Sequence, residues 1–214
     1  MRLASTDKKI KIAICVPCRE TVHSLFSYNL IQMVQWCDSA GYKVSVLMES
    51  GSLISRQRQN LTKSAIEIGA THILWLDSDM MFPVNIIETM LRYNLDIVAC
   101  NYSTRTVPFK GVAYTKIGDW NSWLRPYTGK GKKLLKVEGV GMGCMLVNIN
   151  VFKNLPKPWY EVKYHDQYDD FIGEDFYFCE NVRKLGYKII IDVELSNQLK
   201  HLGLVGMEMQ NTFP

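Results

Sequence analysis

The chain has 214 residues, of which 47% are hydrophobic and 21% charged, enough apolar material for one sizeable core. Its formal net charge of +4 is small for a nucleic-acid-binding protein, so we expect no nucleic-acid partner and at most a small anionic ligand. No apolar run reaches the roughly 18 residues of a membrane span, and six cysteines in mostly apolar segments are typical of reduced thiols in a cytoplasmic protein.

The first hundred residues alternate between two kinds of segment. Four predicted strands lie at 9–16, 43–48, 72–76 and 95–100. Helical spacing predicts three helices, over 21–40, 53–68 and 83–93. Such alternation builds βαβ units and a largely parallel sheet, so we predict a Rossmann-like half over residues 1–102. Ligands of these sheets bind outside the carboxyl ends of the strands.

The rest of the chain, residues 103–214, has a different pattern. Strand-like segments at 110–117 and 133–149 precede a predicted helix at 174–185 and a strand at 188–191. Two polar loops rich in aromatic residues, 119–132 and 157–172, separate them. We find no linker, and therefore predict one α/β domain over residues 1–214. Its central sheet should be mostly parallel, with helices on its flanks.

Two carboxylates end the buried strand at 72–76. Asp77 and Asp79 carry like charges one residue apart, which is costly at the edge of a core unless a cation joins them. Oxygen ligands suit hard ions, so the pair predicts an Mn²⁺ or Mg²⁺ site that could hold a diphosphate. Alternatively, the segment is a solvated turn in which Ser78 or Asp79 caps the next helix.

Basic residues near the same edge are candidates for binding an anion. Arg56 and Arg58 begin the helix that precedes the acidic pair, and Pro17 and Arg19 follow the first strand. Arginine binds phosphate well, but a solvated helix face would explain Arg56 and Arg58 equally simply.

Further acidic and histidine candidates lie late in the chain. Glu174 and Asp175 open a helix, where acidic residues often serve only the helix dipole. His201 follows the last strand and could complete a metal shell with Asp79, although a lone histidine is usually just hydrogen-bonded.

The two loops carry more aromatic residues than connections normally need. They contain Trp120, Trp123, Tyr127, Trp159, Tyr160 and Tyr164. Flat rings can cover the C–H face of a sugar, so these loops are candidates for an acceptor site. The alternative, that the rings fold back onto the core, is equally compatible with the sequence.

The order of these motifs carries a resemblance. A strand with Pro-x-Arg-Glu is followed by an arginine-rich helix, a hydrophobic strand with Asp-Ser-Asp, GVGMGCMLVN, GEDFYFCENVRKLGYKI and a late histidine. Over roughly residues 10–203 this resembles the GT-A fold nucleotide-sugar glycosyltransferases of the family-2 type. The likeness is strongest to short single-domain enzymes of bacteriophages and large viruses, such as capsid glycosyltransferases of chlorella viruses.

The resemblance implies a role for each matching position. Asp77 and Asp79 would contact the ribose and the metal–diphosphate, His201 would be the late metal ligand, and Asp175 would be the catalytic base. The implied donor-binding residues are Pro17, Arg19, Arg56, Arg58, Asp77, Ser78, Asp79 and Gly143. The implied metal ligands, for Mn²⁺ or Mg²⁺, are Asp77, Asp79 and His201. The acceptor candidates are Trp120, Trp123, Trp159, Tyr160 and Glu174.

The function that the resemblance implies is sugar transfer from a nucleotide diphosphate, by the family's habit uridine diphosphate, to a hydroxyl of a glycan or glycoprotein. One direct attack would invert the anomeric carbon. Residues 1–102 would bind the nucleotide and 103–214 the acceptor, in the cytoplasm, or in the host cytoplasm of a virus. One departure is Glu49-Ser50-Gly51-Ser52, which replaces an Asp-rich turn, so the contacts to the base are not carried over.

Three other functions remain open at this stage. A haloacid-dehalogenase-type phosphatase also has a hydrophobic strand before Asp-x-Asp, but on its first strand and with Thr or Val where Met81 stands. A sugar nucleotidyltransferase needs a glycine-rich basic loop after the first strand, and residues 16–20 contain no glycine. The third is a non-catalytic module that binds a nucleotide sugar or a glycan.

Overall fold

The computed structural model describes residues 10–105, 107–119, 121–124, 133–167 and 169–203. Trp120 and Tyr127 therefore lie outside the described residues. The strands are β1 Lys11–Cys18, β2 Lys43–Ser50, β3 His72–Leu76, β4 Met80–Met81, β5 Ile97–Ala99, β6 Ala113–Tyr114, β7 Leu134–Val137, β8 Gly139–Val140, β9 Cys144–Asn148, β10 Lys163–His165, β11 Asp170–Ile172, β12 Ile189–Asp192 and β13 Lys200–His201. The helices are α1 Ser24–Ser39, α2 Ile54–Glu67, α3 Ile86–Leu91, α4 Asn150–Asn154, α5 Glu174–Lys184 and α6 Val193–Ser196.

Seven of the described strands form one sheet, in the order β2-β1-β3-β9-β5-β12-β7. Five of them run in one direction, because only β9 and β7 pair antiparallel with their neighbours. The predicted α/β fold with a mostly parallel central sheet is thereby confirmed. Within the described part of the chain, no helix combines the length and the apolar character needed to cross a membrane.

Helices cover both faces of this sheet. Alternate residues of β1 point to opposite sides, so that Cys15 packs with α2, α4 and α5 while Ile14 packs with α1 and α3. The two resulting clusters are apolar and almost fully buried. Central strand β3 is buried on both faces, as its continuous apolar sequence predicts.

Several predicted boundaries were wrong. Pro17 does not end β1 but pairs with Glu49 within it, which a proline tolerates where its missing N–H is not needed. Pro83 precedes α3, which begins only at Ile86. The segment 133–149 holds three strands instead of one, and the predicted loop 157–172 contains the hairpin β10–β11.

Candidate active site

The acidic turn follows β3 at the carboxyl edge of the sheet. The Asp77 N–H donates to the Gly143 carbonyl at 3.1 Å, which ties the turn to the start of β9. Strand β4 then pairs with β13 and sets Met80 opposite His201, and the Leu202 N–H donates to the Asp79 carbonyl at 2.8 Å. This short pairing brings His201 to the acidic turn although more than a hundred residues separate them.

Two cationic partners hold the Asp79 carboxylate. Arg105 Nη1 lies 2.7 Å from Asp79 Oδ2, and His201 Nε2 lies 3.3 Å from Asp79 Oδ1. Burial alone would raise the pKa of Asp79, but the hydrogen bond and charge of His201, with the charge of Arg105, hold it below its ordinary value. Burial would likewise lower the pKa of His201, whereas its bonds to Asp79 and to the Ser103 carbonyl raise it.

The histidine tautomer follows from its second contact. His201 Nδ1 lies 2.8 Å from the Ser103 carbonyl oxygen, which can only accept, so Nδ1 carries a proton. In the neutral ring, Nε2 then presents a lone pair toward the Asp79 carboxylate. A lone pair and a carboxylate oxygen 3.3 Å apart repel each other unless a proton or a metal ion lies between them. Metal-binding histidines are commonly oriented in this way.

The other aspartate of the turn pairs with a buried arginine. Arg58 is 1% exposed, and its Nη2 donates to Asp77 Oδ1 at 3.0 Å while its Nε donates to Glu174 Oε1 at 3.1 Å. Burial alone would lower the pKa of Arg58, but these two carboxylates raise it above its ordinary value. The guanidinium carbon also lies 5.2 Å from the ring centre of Trp75. Its Nη1 is buried and has no hydrogen-bond acceptor among the described residues.

Asp175 lies in the first turn of α5, next to Glu174. Its Oδ1 accepts a hydrogen bond from the Phe176 N–H at 2.8 Å. Burial, and then the charge of Glu174, raise the pKa of Asp175 to about 7, although the charge of Arg58 opposes them. Asp175 can therefore gain and lose a proton near neutral pH.

Gly143 permits a close approach at the centre of the site. Its N–H donates to the hydroxyl of buried Tyr102 at 2.8 Å. A Cβ atom at position 143 would lie 2.5 Å from that hydroxyl and 2.8 Å from Asp77 Oδ2. The resemblance implies a donor contact here, and the structure gives the physical reason for a glycine.

The remaining donor candidates lie around the same edge. Pro17 is buried within β1, Arg19 is exposed just beyond it, and Arg56 is exposed in the first turn of α2. Ser78 occupies the middle of the acidic turn and is partly exposed. Arg58 differs from its prediction, because its donors bind internal carboxylates and its side chain is not accessible to a nucleotide in this conformation.

Two of the acceptor candidates are buried in the core. Trp159 is 4% exposed and Tyr160 is 3% exposed, and both pack with Phe152 in the core. These two rings cannot stack on a sugar, so that part of the prediction was wrong. Trp123 is partly buried and bridges to Tyr114. Glu174 is occupied by Arg58, which also argues against a direct contact with an acceptor.

Two residues that the structure brings to the site were not among the predicted site residues, although Tyr102 was expected at this edge of the sheet. Arg105 contacts Asp79, and Tyr102 contacts Gly143 and packs edge-on against His201 with ring centres 5.4 Å apart. Their signal is positional, because both follow β5 at the carboxyl edge where ligands of such sheets bind.

Comparison with known proteins gives one family match and several distant structural neighbours. The Anp1 family model matches residues 38–134, less than half of the chain, and supports a glycosyltransferase-like fold. No curated protein matches the chain. The crystal structure of A197 from STIV superposes with a TM-score of 0.57 and 12% identity, over 95% of this chain and 100% of that one. At that identity the likeness shows a shared fold alone.

Two other solved structures align more loosely. The alignment with a glycosyltransferase involved in the glycosylation of the major capsid of PBCV-1 covers 69% of this chain and 68% of that one, with 16% identity and a TM-score of 0.36. UDP-glucose pyrophosphorylase complexed with UDP-glucose covers 88% and 97%, with 10% identity and a TM-score of 0.45. Superpositions of this quality carry no argument about activity.

Proposed function

We propose that the protein is a metal-dependent glycosyltransferase. It would move a hexosyl or deoxyhexosyl group from a nucleotide diphosphate sugar, in the first instance a UDP-sugar, to a hydroxyl of a glycan or glycoprotein. One observation carries this proposal: buried Arg58 pairs with Asp77, two residues before the Asp79 that meets His201, and with Glu174, which precedes the titratable Asp175. The Anp1 match supports the same class of activity.

Asp79 and His201 are the residues that fit a metal ion. Within the described ranges, no group of three or more His, Cys, Asp or Glu side chains is arranged to hold a metal. The protein would therefore supply two ligands, with diphosphate oxygens and water completing the shell. Asp77, predicted as a third ligand, has its Oδ1 bound to Arg58 instead. A carboxylate with an imidazole favours Mn²⁺ over Mg²⁺.

Asp175 has the proton affinity that a general base requires. An acceptor hydroxyl must lose its proton as its oxygen attacks the anomeric carbon, and a carboxylate with a pKa of about 7 accepts that proton efficiently. The new C–O bond forms as the bond to the diphosphate breaks, and the nucleotide diphosphate leaves as an anion. When bound, the metal ion stabilises that developing charge. A single displacement of this kind inverts the anomeric carbon.

The phosphatase alternative is unfavourable at this site. Its first aspartate must attack phosphorus, and the charge-assisted hydrogen bond from buried Arg58 to Asp77 Oδ1 makes this carboxylate a weaker nucleophile. The turn also follows β3 and not the first strand.

Binding and transfer should be tested separately. Thermal shift with a panel of nucleotide sugars, with and without Mn²⁺, identifies the donor, since ligands of the native state raise the melting temperature. We expect Mn²⁺-dependent binding that is lost in Asp79→Asn and His201→Ala. Asp175→Asn should bind the donor but release nucleotide to an acceptor about 10²–10⁴-fold more slowly.

Arg183→Gln, on the outer part of α5, provides a control that should behave as wild type. Donor binding that is insensitive to a chelator would contradict the metal assignment. Undiminished transfer by Asp175→Asn would contradict the role of the base.

A further inference from the structure

Arg58 connects two distant parts of the site. Asp77 directly follows β3, and Glu174 begins α5, 116 residues after Arg58 in sequence. One planar guanidinium donates to both carboxylates, so their separation and orientation are fixed relative to each other. Since Asp175 follows Glu174 directly, the same contact fixes the start of α5 on which Asp175 lies.

The interior is an expensive place for this charge. Removing an arginine and two carboxylates from water costs several kcal/mol for each ion, and apolar side chains of similar size often stabilise such positions better. Arg58 is also short of one acceptor, because its Nη1 is buried with no partner among the described residues. Packing alone therefore does not account for an arginine at this position of α2, where neighbouring Leu61 and Ala65 are apolar.

We infer that Arg58 is a positioning residue of the transfer site, which holds Asp77 and Glu174 together and so fixes the place and the electrostatic surroundings of Asp175. The inference rests on the proposed function, in which Asp175 takes the proton of the acceptor. Arg58 itself touches neither the donor nor the acceptor in this arrangement.

Several groups act on Asp175, and their signs differ. Burial and the charges of Glu174 and Asp77 raise its pKa, whereas the charge of Arg58 and the Phe176 N–H lower it. The other titratable groups that sense the charge of Asp175 are Arg58, Tyr102, Tyr114 and Cys179. Arg58 is the one cation among these groups, so its removal and the removal of Glu174 must act in opposite directions.

Two substitutions that weaken the same ion pair should therefore shift Asp175 oppositely. Arg58→Met removes the positive charge, and we expect the pKa of Asp175 to rise by about one pH unit. Glu174→Gln keeps an oxygen for Arg58 Nε but removes a negative charge, and we expect the pKa to fall by a similar amount. Structural damage would not produce opposite signs.

A third substitution separates position from charge. Arg58→Lys keeps the positive charge but cannot donate to two carboxylates in a fixed geometry. We expect the pKa of Asp175 to stay close to that of wild type while transfer falls about tenfold or more, since misplacement of a catalytic group is costly.

The measurement is a titration of carboxyl ¹³C resonances in the metal-free full chain, with Asp175 assigned by the signal that Asp175→Asn lacks. Arg183→Gln, which breaks the ion pair of this α5 residue with Glu138 beyond β7, is the matched control and should cause no shift. Shifts of equal sign in Arg58→Met and Glu174→Gln would overturn the inference. If Arg58→Met does not fold, an unchanged or raised pKa in Glu174→Gln, or a changed pKa in Arg58→Lys, would do the same.

The readout does not depend on finding a substrate. Opposite shifts in a protein that transfers no sugar would uphold the electrostatic role of Arg58 and remove only the proposed function. Transfer that is intact in Arg58→Lys would remove the positioning role and leave the proposed function in place.

Discussion

The two aspartates of one turn are about equally exposed, at 26% for Asp77 and 22% for Asp79, but their arginine partners differ widely in burial. Asp77 meets Arg58 at 3.0 Å, where the arginine side chain is 2% exposed, and Asp79 meets Arg105 at 2.7 Å, where it is 59% exposed. The distances alone would suggest equal interactions. Solvent makes them unequal, because water already stabilises the charge of exposed Arg105, whereas the charge of buried Arg58 depends on its carboxylate partners. Burial thus separates a structural ion pair from a contact that a ligand can replace.

The largest predicted effect comes from replacing the arginine of each pair. Arg58→Met should lower the free energy of unfolding by about 3–5 kcal/mol, because it leaves Asp77 and Glu174 without their shared cation. Arg105→Met should cost about 0–1 kcal/mol. Denaturant titration of both variants measures the difference. Similar costs for the two substitutions would contradict the contrast between the two sides of the turn.

The sequence contained a signal for the burial of Arg58 that is clear in retrospect. Arg58 precedes Leu61 and Ala65 by three and seven residues, which places it on the apolar face of α2, whereas Arg56 falls on the exposed face. Helical periodicity could therefore have distinguished the two arginines. It could not have named Glu174 as a partner, because a contact across 116 residues is decided by the tertiary fold.

Many of the features that were predicted correctly are local ones. A continuous apolar run indicates a central strand, and residues at its carboxyl end lie at the ligand-binding edge, as Asp77 and Asp79 do. Aromatic content was a poorer guide. Trp159 and Tyr160 lie in a polar segment, yet both pack into the core against Phe152, since large rings bury whatever apolar surface the fold offers them.

The raised pKa of Asp175, which lies next to the Arg58 ion pairs, also predicts that the stability of the protein depends on pH. Asp175 has an ordinary pKa of 3.8 and a folded-state pKa of about 7. Between these values the folded protein keeps a proton that the unfolded chain has lost, so the stability falls as the pH rises from about 4 to 7 and is level above that. The loss for wild type is on the order of 2–4 kcal/mol.

Asp175→Asn removes this penalty while keeping an oxygen for the Phe176 N–H. Its melting temperature should exceed that of wild type by more at pH 8 than at pH 4.5. Parallel melting curves of the two proteins across this range would mean that the folded-state pKa is not raised.

Substitutions of two glycines test how tightly the site is packed near Asp77 and near Arg105. A Cβ at Gly143 would lie 2.5 Å from the Tyr102 hydroxyl, whereas a Cβ at Gly203 would lie 3.6 Å from the nearest atom of Arg105, an ordinary contact. Gly143→Ala should cost about 1–3 kcal/mol through overpacking, and Gly203→Ala should be close to neutral. Thermal denaturation of both variants provides the comparison. A neutral Gly143→Ala would show that Tyr102 and Asp77 can shift to make room for the added Cβ atom.

The smallest predicted effect concerns the exposed ion pair between Asp79 and Arg105. Arg105 contacts Asp79 Oδ2, and its positive charge opposes a metal ion that binds between Asp79 Oδ1 and His201 Nε2. Removing an exposed ion pair worth about 0.2–1 kcal/mol should therefore tighten the binding of Mn²⁺ by about twofold to fivefold in Arg105→Gln.

Calorimetric titration with Mn²⁺ alone measures this change, and it should shrink at high salt as the exposed pair is screened. Arg92→Gln, which breaks an exposed pair with Glu88 and changes the net charge equally, separates the local contact from a general charge effect. If the two variants gained affinity equally, the gain would come from the change in net charge, and the assignment of Asp79 as a metal ligand would be contradicted. A gain confined to Arg105→Gln would mean that the metal ion binds at Asp79, beside the exposed pair with Arg105. The pair between Asp77 and buried Arg58 would then have a structural role.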